Sequence, residues 1–347
     1  MRYDTKYQDD IKEVIRRIPH IELLYGKSVL ITGANGMVCS PIVELLDYLN
    51  KKEGAKIKIY LAGRSEKRIA SRFSSQHIEY SYVQYDATTV NKLAIDADYI
   101  IEGASNANPI KYAREPVETL LGNVLGLNSI LSMARCNGKG RIVYISSSEV
   151  YGKKDDNEPF KEDMYGFVDI LSSRSCYPSG KRAAETLCAS YYDEYGVESS
   201  IVRLGHIFGP SITKSDTRAT AEFTRNAVNH EDIVMKSAGA QLRSYCYTLD
   251  CASAILSVLI NGKPNQAYNI SNRNSVISIR EIAELFAKCS GVKLVFTNPT
   301  DEERRGFTTM QNSSLNSEKI EELGWKACFS TEEAVKRTIE ILRLNCN

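Results

Sequence analysis

The run SVLITGANGMVCS, residues 28 to 40, constrains the architecture of this chain more than any other stretch. An apolar, β-branched strand passes directly into a glycine turn and then into a helix through PIVELLDYLN, which is how a parallel strand–helix–strand unit begins. Gly33 permits the tight turn, and Gly36 lets the backbone approach an anion such as a pyrophosphate. The helix N-terminus behind them supplies free N–H donors and the positive end of a dipole. Cys39 stands where a third glycine is usual; being small and apolar, it reads as a packing variant.

Strand-like and helical runs continue to alternate after this unit: KIKIYLAG, EYSYVQYD, ADYIIEGA, a long helix from Glu115 to Cys136, RIVYISSS, a helix after Tyr177, and ESSIVRL. Strands separated by helices imply crossover connections and an α/β fold, a Rossmann-type doubly wound parallel sheet. Beyond residue 205 the pattern breaks into shorter pieces, including a helix at SIREIAELF with a capping box from Ser278 and Glu281. The expected organisation is an N-terminal helical arm over 1–25, with Ile11, Val14, Ile15 and Ile18 at helical spacing. A dinucleotide-binding domain over 26–205 follows, then a smaller α/β lobe over 206–347, partly interleaved with it.

Formal charge nearly cancels, 44 Lys and Arg against 43 Asp and Glu, so no nucleic-acid or membrane-binding patch is expected. An acidic ligand must then be met by a few placed cations. The nine cysteines form no CxxC pairs and have no metal-ligand spacing to the four histidines, so no metal is expected. Reduced thiols, a charged N-terminus without an apolar leader, and no segment approaching the ~20 apolar residues of a membrane span point to a cytoplasmic protein.

The second strand ends in LAGRSEKR, where a NAD-binding unit offers a carboxylate to the ribose. Arg64, Ser65 and Lys67 or Arg68 stand there instead, either clamping a 2′-phosphate, which favours NADP, or forming a solvated cationic turn. Asp86, with Ala87, ends the third strand at the adenine edge; Gly103 and Ala104, ending the fourth, leave room for the cofactor. Tyr177 and Lys181 lie four apart and share a helix face. An ammonium beside a phenol lowers its pKa from ~10, making the tyrosine a base for an alcohol. Ser147, at the carboxyl end of a parallel strand, is placed to hydrogen-bond the same hydroxyl.

From about residue 27 onward the chain resembles the extended short-chain dehydrogenase/reductases, in their nucleotide-sugar epimerase/dehydratase branch. The likeness rests on TGANGMV, Asn123 in GNVLGLNSIL, SSSEVYG, YPSGKRAAE, RLGHIFGP, RSYCYTLD and SEKIEELGW. It implies a tightly bound NAD or NADP held also by Asn35, Met37, Val38, Ser105 and Asn123. It implies oxidation of a sugar at carbon 4, and a homodimer paired through a four-helix bundle formed by the helices over 115–136 and 178–195. Glu149 resembles the glutamate of enzymes that do further chemistry on the keto sugar, and Ser148 stands where glucose-type 4,6-dehydratases carry an acidic aspartate. This serine–glutamate pair is similar to UDP-glucuronate decarboxylases and to GDP-mannose 4,6-dehydratases. GASNANPIKY and GKRAAE favour the former; a 4,6-dehydratase, a 4-epimerase and a dinucleotide-binding regulatory module stand as alternatives.

The resemblance makes Arg243 the diphosphate-binding arginine, with Arg218 and Arg305 as further candidates and Ser105 reaching the sugar. His206 occupies the place of an asparagine that contacts the substrate in similar enzymes, which leaves the base and sugar open.

Overall fold

The computed structural model describes residues 5–300 and 310–344. In chain order its elements begin with α1 (Thr5–Ile15), β1 (Ser28–Thr32), α2 (Cys39–Glu53), β2 (Lys58–Gly63), α3 (Glu66–Phe73) and β3 (Ser81–Gln84). There follow β4 (Tyr99–Glu102), α4 (Pro109–Arg114), α5 (Pro116–Asn137), β5 (Arg141–Ser147), α6 (Cys176–Tyr195) and β6 (Ser199–Leu204). The remainder comprises β7 (His206–Phe208), α7 (Ala219–Val228), β8 (Ile233–Met235), β9 (Leu242–Tyr247), α8 (Thr248–Asn261), β10 (Ala267–Ile270), β11 (Val276–Ser278), α9 (Ile279–Ser290), β12 (Leu294–Phe296), β13 (Asn312–Ser313) and a last helix, Thr331–Leu344.

Seven strands form one sheet in the order β3-β2-β1-β4-β5-β6-β10, every neighbouring pair parallel. The sequence run of crossovers turns back between β1 and β4, so a crevice opens at their carboxyl ends, where open sheets of this kind hold ligands. Ser28–Thr32 is buried throughout, as a strand covered on both faces must be. The edge strand β10 comes from beyond residue 206, so the C-terminal third of the chain completes the first sheet. It also builds its own: β9 pairs with β7, β11 and β13, and β8 with β12. The capping box is present, Ser278 Oγ accepting from Glu281 N at 3.1 Å while Ser278 N donates to the Glu281 carboxylate at 2.6 Å.

Two regions differ from the sequence reading. The arm is no appendage: Tyr7, Ile11, Val14 and Ile15 are buried in the main core, and α1 packs on α8 and α2. The cause is α8, buried at every position from Thr248 to Ile260, which demands cover on the face the sheet leaves open. Polar groups lock the arm in place, Tyr7 donating to Glu44 and Arg337 to Asp10, while Tyr247 Oη reaches Asp10 at 3.2 Å. The second difference is α5, which at 22 residues is long and apolar enough by composition to cross a bilayer. In the fold that apolar surface packs on the sheet and α6, with Leu127, Ile130, Leu131 and Met133 in the core.

Candidate active site

The glycine turn after β1 is built for close approach. Gly33 has φ +65°, and a Cβ there would stand 2.8 Å from the Gly103 carbonyl oxygen. Thr32 fixes that neighbour: its hydroxyl donates to Glu102 Oε2 at 2.9 Å and accepts from the N–H groups of Gly103 and Ala104 at 3.0 and 2.9 Å. Gly36 N bonds the Gly33 carbonyl at 2.9 Å, and α2 begins behind it with no side-chain cap on its N-terminal amides. Asn35 and Val38 are partly exposed on the turn, whereas Met37 is buried. Cys39 fills its site as expected. A Cβ on Gly103 would fall 2.5 Å from Cys39 Sγ, so the glycine missing from the loop has its counterpart just after β4. Burial pushes the Cys39 thiol up to about 12, so it packs as a neutral group.

These features fit a dinucleotide: a turn closed to any side chain, an open helix N-terminus, and a floor of small residues. At the adenosine end Arg64 is exposed, and Ser65 caps α3. Asp86 spends Oδ1 on Thr88, N at 3.0 Å and Oγ1 at 2.8 Å, which shapes the loop it was expected to present to adenine. Ala87 lies against Gly126 of α5, where a Cβ would come within 2.8 Å of its Cα.

At the nicotinamide end, α6 carries Tyr177 and Lys181 inward on one face, both buried. The rings of Tyr112 and Tyr177 stack at 4.6 Å, and the Ser147 and Tyr112 hydroxyls lie near enough to the Tyr177 phenol to favour its ionised form. Lys181 Nζ donates to the Ile145 carbonyl at 2.6 Å and lies 5.8 Å from the Tyr177 ring centre. Asn123, buried on α5, accepts from Ser105 Oγ at 2.9 Å and donates to Thr119 O at 2.7 Å, tying the β4 loop to the helix.

The electrostatics correct one expectation. Burial, reinforced by the charge of Glu149, pushes Tyr177 up to about 12, against the Ser147 hydrogen bond and Arg218. Desolvation therefore outweighs the groups that favour the phenolate, and the expected lowering by Lys181 is not among them. Lys181 is itself pushed down to about 8 by burial, opposed by Glu102 and Glu185. Glu102, buried between Thr32 and Tyr85, is raised by burial to about 7. Neither Glu102 nor Tyr112 is evident from the motifs; both lie far from Lys181 and Tyr177 in sequence. The sign for activity follows: Lys181 assists Tyr177 when protonated, so its help is present below about pH 8 and lost above. Glu102→Gln removes a group that holds the proton on Lys181 and is expected to shift the alkaline limb of kcat/KM to lower pH. An unchanged limb in a pH–rate profile rules this out.

Ser148 is buried in the single turn Ser148–Tyr151 that follows β5, and Ser147 caps that turn by accepting from Glu149 N at 3.3 Å. Glu149 does not stand alone: Arg174, three residues before Tyr177, grips it with two N–H···O bonds of 3.0 Å. Sequence reasoning missed Arg174, although its place just ahead of the tyrosine helix was the available signal. On the far wall Arg218 is committed to Asp216, with Nε to Oδ1 at 3.0 Å. Arg243 is 1% exposed and donates to the carbonyls of Leu242 at 2.7 Å, Met310 at 3.0 Å and Gln311 at 3.4 Å, anchoring the segment that returns at residue 310. His206, on β7, is pushed down to about 3 by burial and by Arg243 and Arg218, so its imidazole is neutral; its Nδ1 is buried without a partner among the described residues. Arg305 lies outside the described residues.

A doubly wound sheet whose switch-point crevice combines a dinucleotide turn with a serine–tyrosine–lysine group defines a nucleotide-cofactor enzyme of the short-chain dehydrogenase/reductase class. Residues 29–271 match the NAD dependent epimerase/dehydratase family, and the chain belongs to it. UDP-glucuronic acid decarboxylase 3 of Arabidopsis thaliana is 30% identical over 322 residues, 92% of this chain and 90% of that protein. UDP-glucuronic acid decarboxylase 1 of Xenopus tropicalis is 27% identical over 343 residues, 97% of this chain and 78% of that one. Among solved structures, UDP-glucose 4-epimerase from Thermotoga maritima with UDP-glucose superposes with a TM-score of 0.77 at 20% identity, over 92% of this chain and all of that one. UDP-glucuronic acid 4-epimerase from Bacillus cereus, in complex with UDP-glucuronic acid and NAD, gives 0.75 at 18% identity, over 92% and 99% of the two chains.

Proposed function

We propose that this enzyme decarboxylates UDP-glucuronate to a UDP-pentose. The observation that carries the reading is Glu149 on the turn after Ser147, near enough for its charge to act on Tyr177, in a chain whose relatives over nine-tenths of its length are named UDP-glucuronic acid decarboxylases. Gly33, Gly36, Ser105 and Asn123 would hold a dinucleotide, which when bound would supply reversible hydride acceptance at carbon 4 of the sugar. Tyr177 takes the proton of the 4-hydroxyl, which Ser147 orients. Once carbon 4 is a ketone, the carboxylate on carbon 5 is β to a carbonyl. The C5–C6 bond then breaks, carbon dioxide leaves, and the electron pair forms an enolate held by the Tyr177 and Ser147 donors. Water delivers the proton to carbon 5, and Glu149 orients it. Ser148 argues against a glucose-type 4,6-dehydratase, which carries an aspartate there, while the stretches GASNANPIKY and GKRAAE favour decarboxylation over the dehydratases that share the serine–glutamate pair. Incubation with UDP-glucuronate is expected to release carbon dioxide and a UDP-pentose in equal amounts. A product of unchanged mass indicates epimerisation instead, and a 4-keto-6-deoxy sugar from a neutral UDP-hexose indicates dehydration.

Arg64 and Ser65, at the end of β2, favour NADP through its 2′-phosphate; mass spectrometry of nucleotides released on denaturation reads this directly. Arg218, Arg243 and His206 line the diphosphate end, with His206 as a neutral hydrogen-bonding group. The exposed Val117, Leu120 and Leu121 on α5 and Tyr192 and Tyr195 on α6 support a homodimer through a four-helix bundle, measurable by light scattering. Eight described cysteines are free, which supports a reducing, cytoplasmic setting.

A further inference from the structure

Arg174 sits in the short turn Ser173–Ser175 that leads into α6, and its guanidinium meets Glu149 edge to edge, both N–H···O distances being 3.0 Å. Its charge also lies over the Tyr112 ring at 5.0 Å, and Tyr112 stacks on Tyr177. Each side chain of the ion pair is 28% exposed, so the pair lies at the edge of the pocket. The guanidinium is not exhausted: the buried Nε–H has no acceptor among the described residues, and a planar fork of five donors has used two on Glu149. Arg218 and Arg243 are engaged elsewhere, Arg218 with Asp216 and Arg243 with three backbone carbonyls.

A carboxylated sugar faces a difficulty in this pocket. Placing its acid group near Tyr177 brings it toward the charge of Glu149, and like charges held close in a partly buried site repel strongly. We propose that Arg174 is the specificity-determining residue for an acidic sugar: it offsets Glu149 and donates to the sugar carboxylate. This rests on the decarboxylase reading for the identity of the acid, and on the Arg174–Glu149 geometry for the site. Because the contact is made to the carboxylate before it is lost, Arg174 acts on substrate affinity more than on the bond-breaking step.

The test is titration calorimetry of UDP-glucuronate and of neutral UDP-glucose with the purified protein and three variants. Arg174→Gln is expected to weaken UDP-glucuronate by about tenfold or more while UDP-glucose stays within about twofold. Arg174→Lys, which keeps the charge, is expected to recover part of the loss. The decisive arm is Arg174→Gln combined with Glu149→Gln, which removes the repulsion and is expected to restore part of the lost binding of the acid, the direct contact to the carboxylate remaining absent; a clamp that merely shapes the pocket does not produce that rescue. Equal weakening of both sugars, or no rescue in the double variant, overturns the proposal. Failure of the wild type to release carbon dioxide sinks the decarboxylase reading alone, since discrimination between acid and neutral sugars is read by binding.

Discussion

Tyr177→Phe is expected to lower turnover of UDP-glucuronate by about a thousandfold while leaving the fold intact, because general base catalysis of this kind contributes about 10²–10⁴. The change deletes one oxygen from a side chain that is 6% exposed and stacked on Tyr112, so the packing of both rings survives. What is lost is a single hydroxyl beside Ser147 and Tyr112, worth about 1 kcal/mol of stability. A thermal melt within a few degrees of wild type therefore accompanies the loss of activity. The same burial that pushes the phenol up to about 12 makes the residue a poor base until positive charge gathers near it, so Lys181 and Tyr177 act as a unit. Residual activity within tenfold of wild type in a carbon dioxide release assay would remove Tyr177 from the chemistry.

That unit was readable from spacing: a tyrosine and a lysine four residues apart need only a helix to share a face, and the helix formed from Cys176. The sheet was equally legible, since alternation of apolar strands and amphipathic helices admits few arrangements besides a doubly wound one. Side-chain partners joined across the fold were not. Arg174 meets Glu149 across 25 residues, and Tyr85 donates to Glu102 across 17, pairings that depend on where loops land rather than on local pattern. The docking of α1 was hidden for a related reason. Its apolar face was plain, but its partner surface is α8, more than two hundred residues later. Arg243 shows the opposite limit: the motif identified the residue, while its present engagement with the carbonyls at 310 and 311 depends on a segment with no signature of its own.

Gly33→Ala is expected to abolish dinucleotide loading and to cost several kcal/mol of stability, and the contrast with Gly103→Ala shows why. At Gly33 a methyl group meets only backbone: Gly103 O at 2.8 Å, Gly103 C at 2.9 Å and Ala104 N at 3.0 Å. Those atoms cannot step aside, because Thr32 holds both amides and is itself held by Glu102. To the overpacking, about 1–3 kcal/mol, is added the cost of a non-glycine residue at φ +65°, about 1–2 kcal/mol. The site has no neighbour whose trimming relieves it. Gly103→Ala is different, since its nearest obstacle is the Cys39 thiol at 2.5 Å, the end of a side chain. Cys39→Gly, which restores the usual glycine to the loop, is therefore expected to rescue Gly103→Ala and to leave Gly33→Ala unrescued. Melting temperatures of the four variants, read alongside the dinucleotide released on denaturation, separate the cases. If Gly33→Ala carries a full complement of dinucleotide, the turn after β1 is not the cradle, and Cys39 and Gly103 are a packing pair with no bearing on the cofactor.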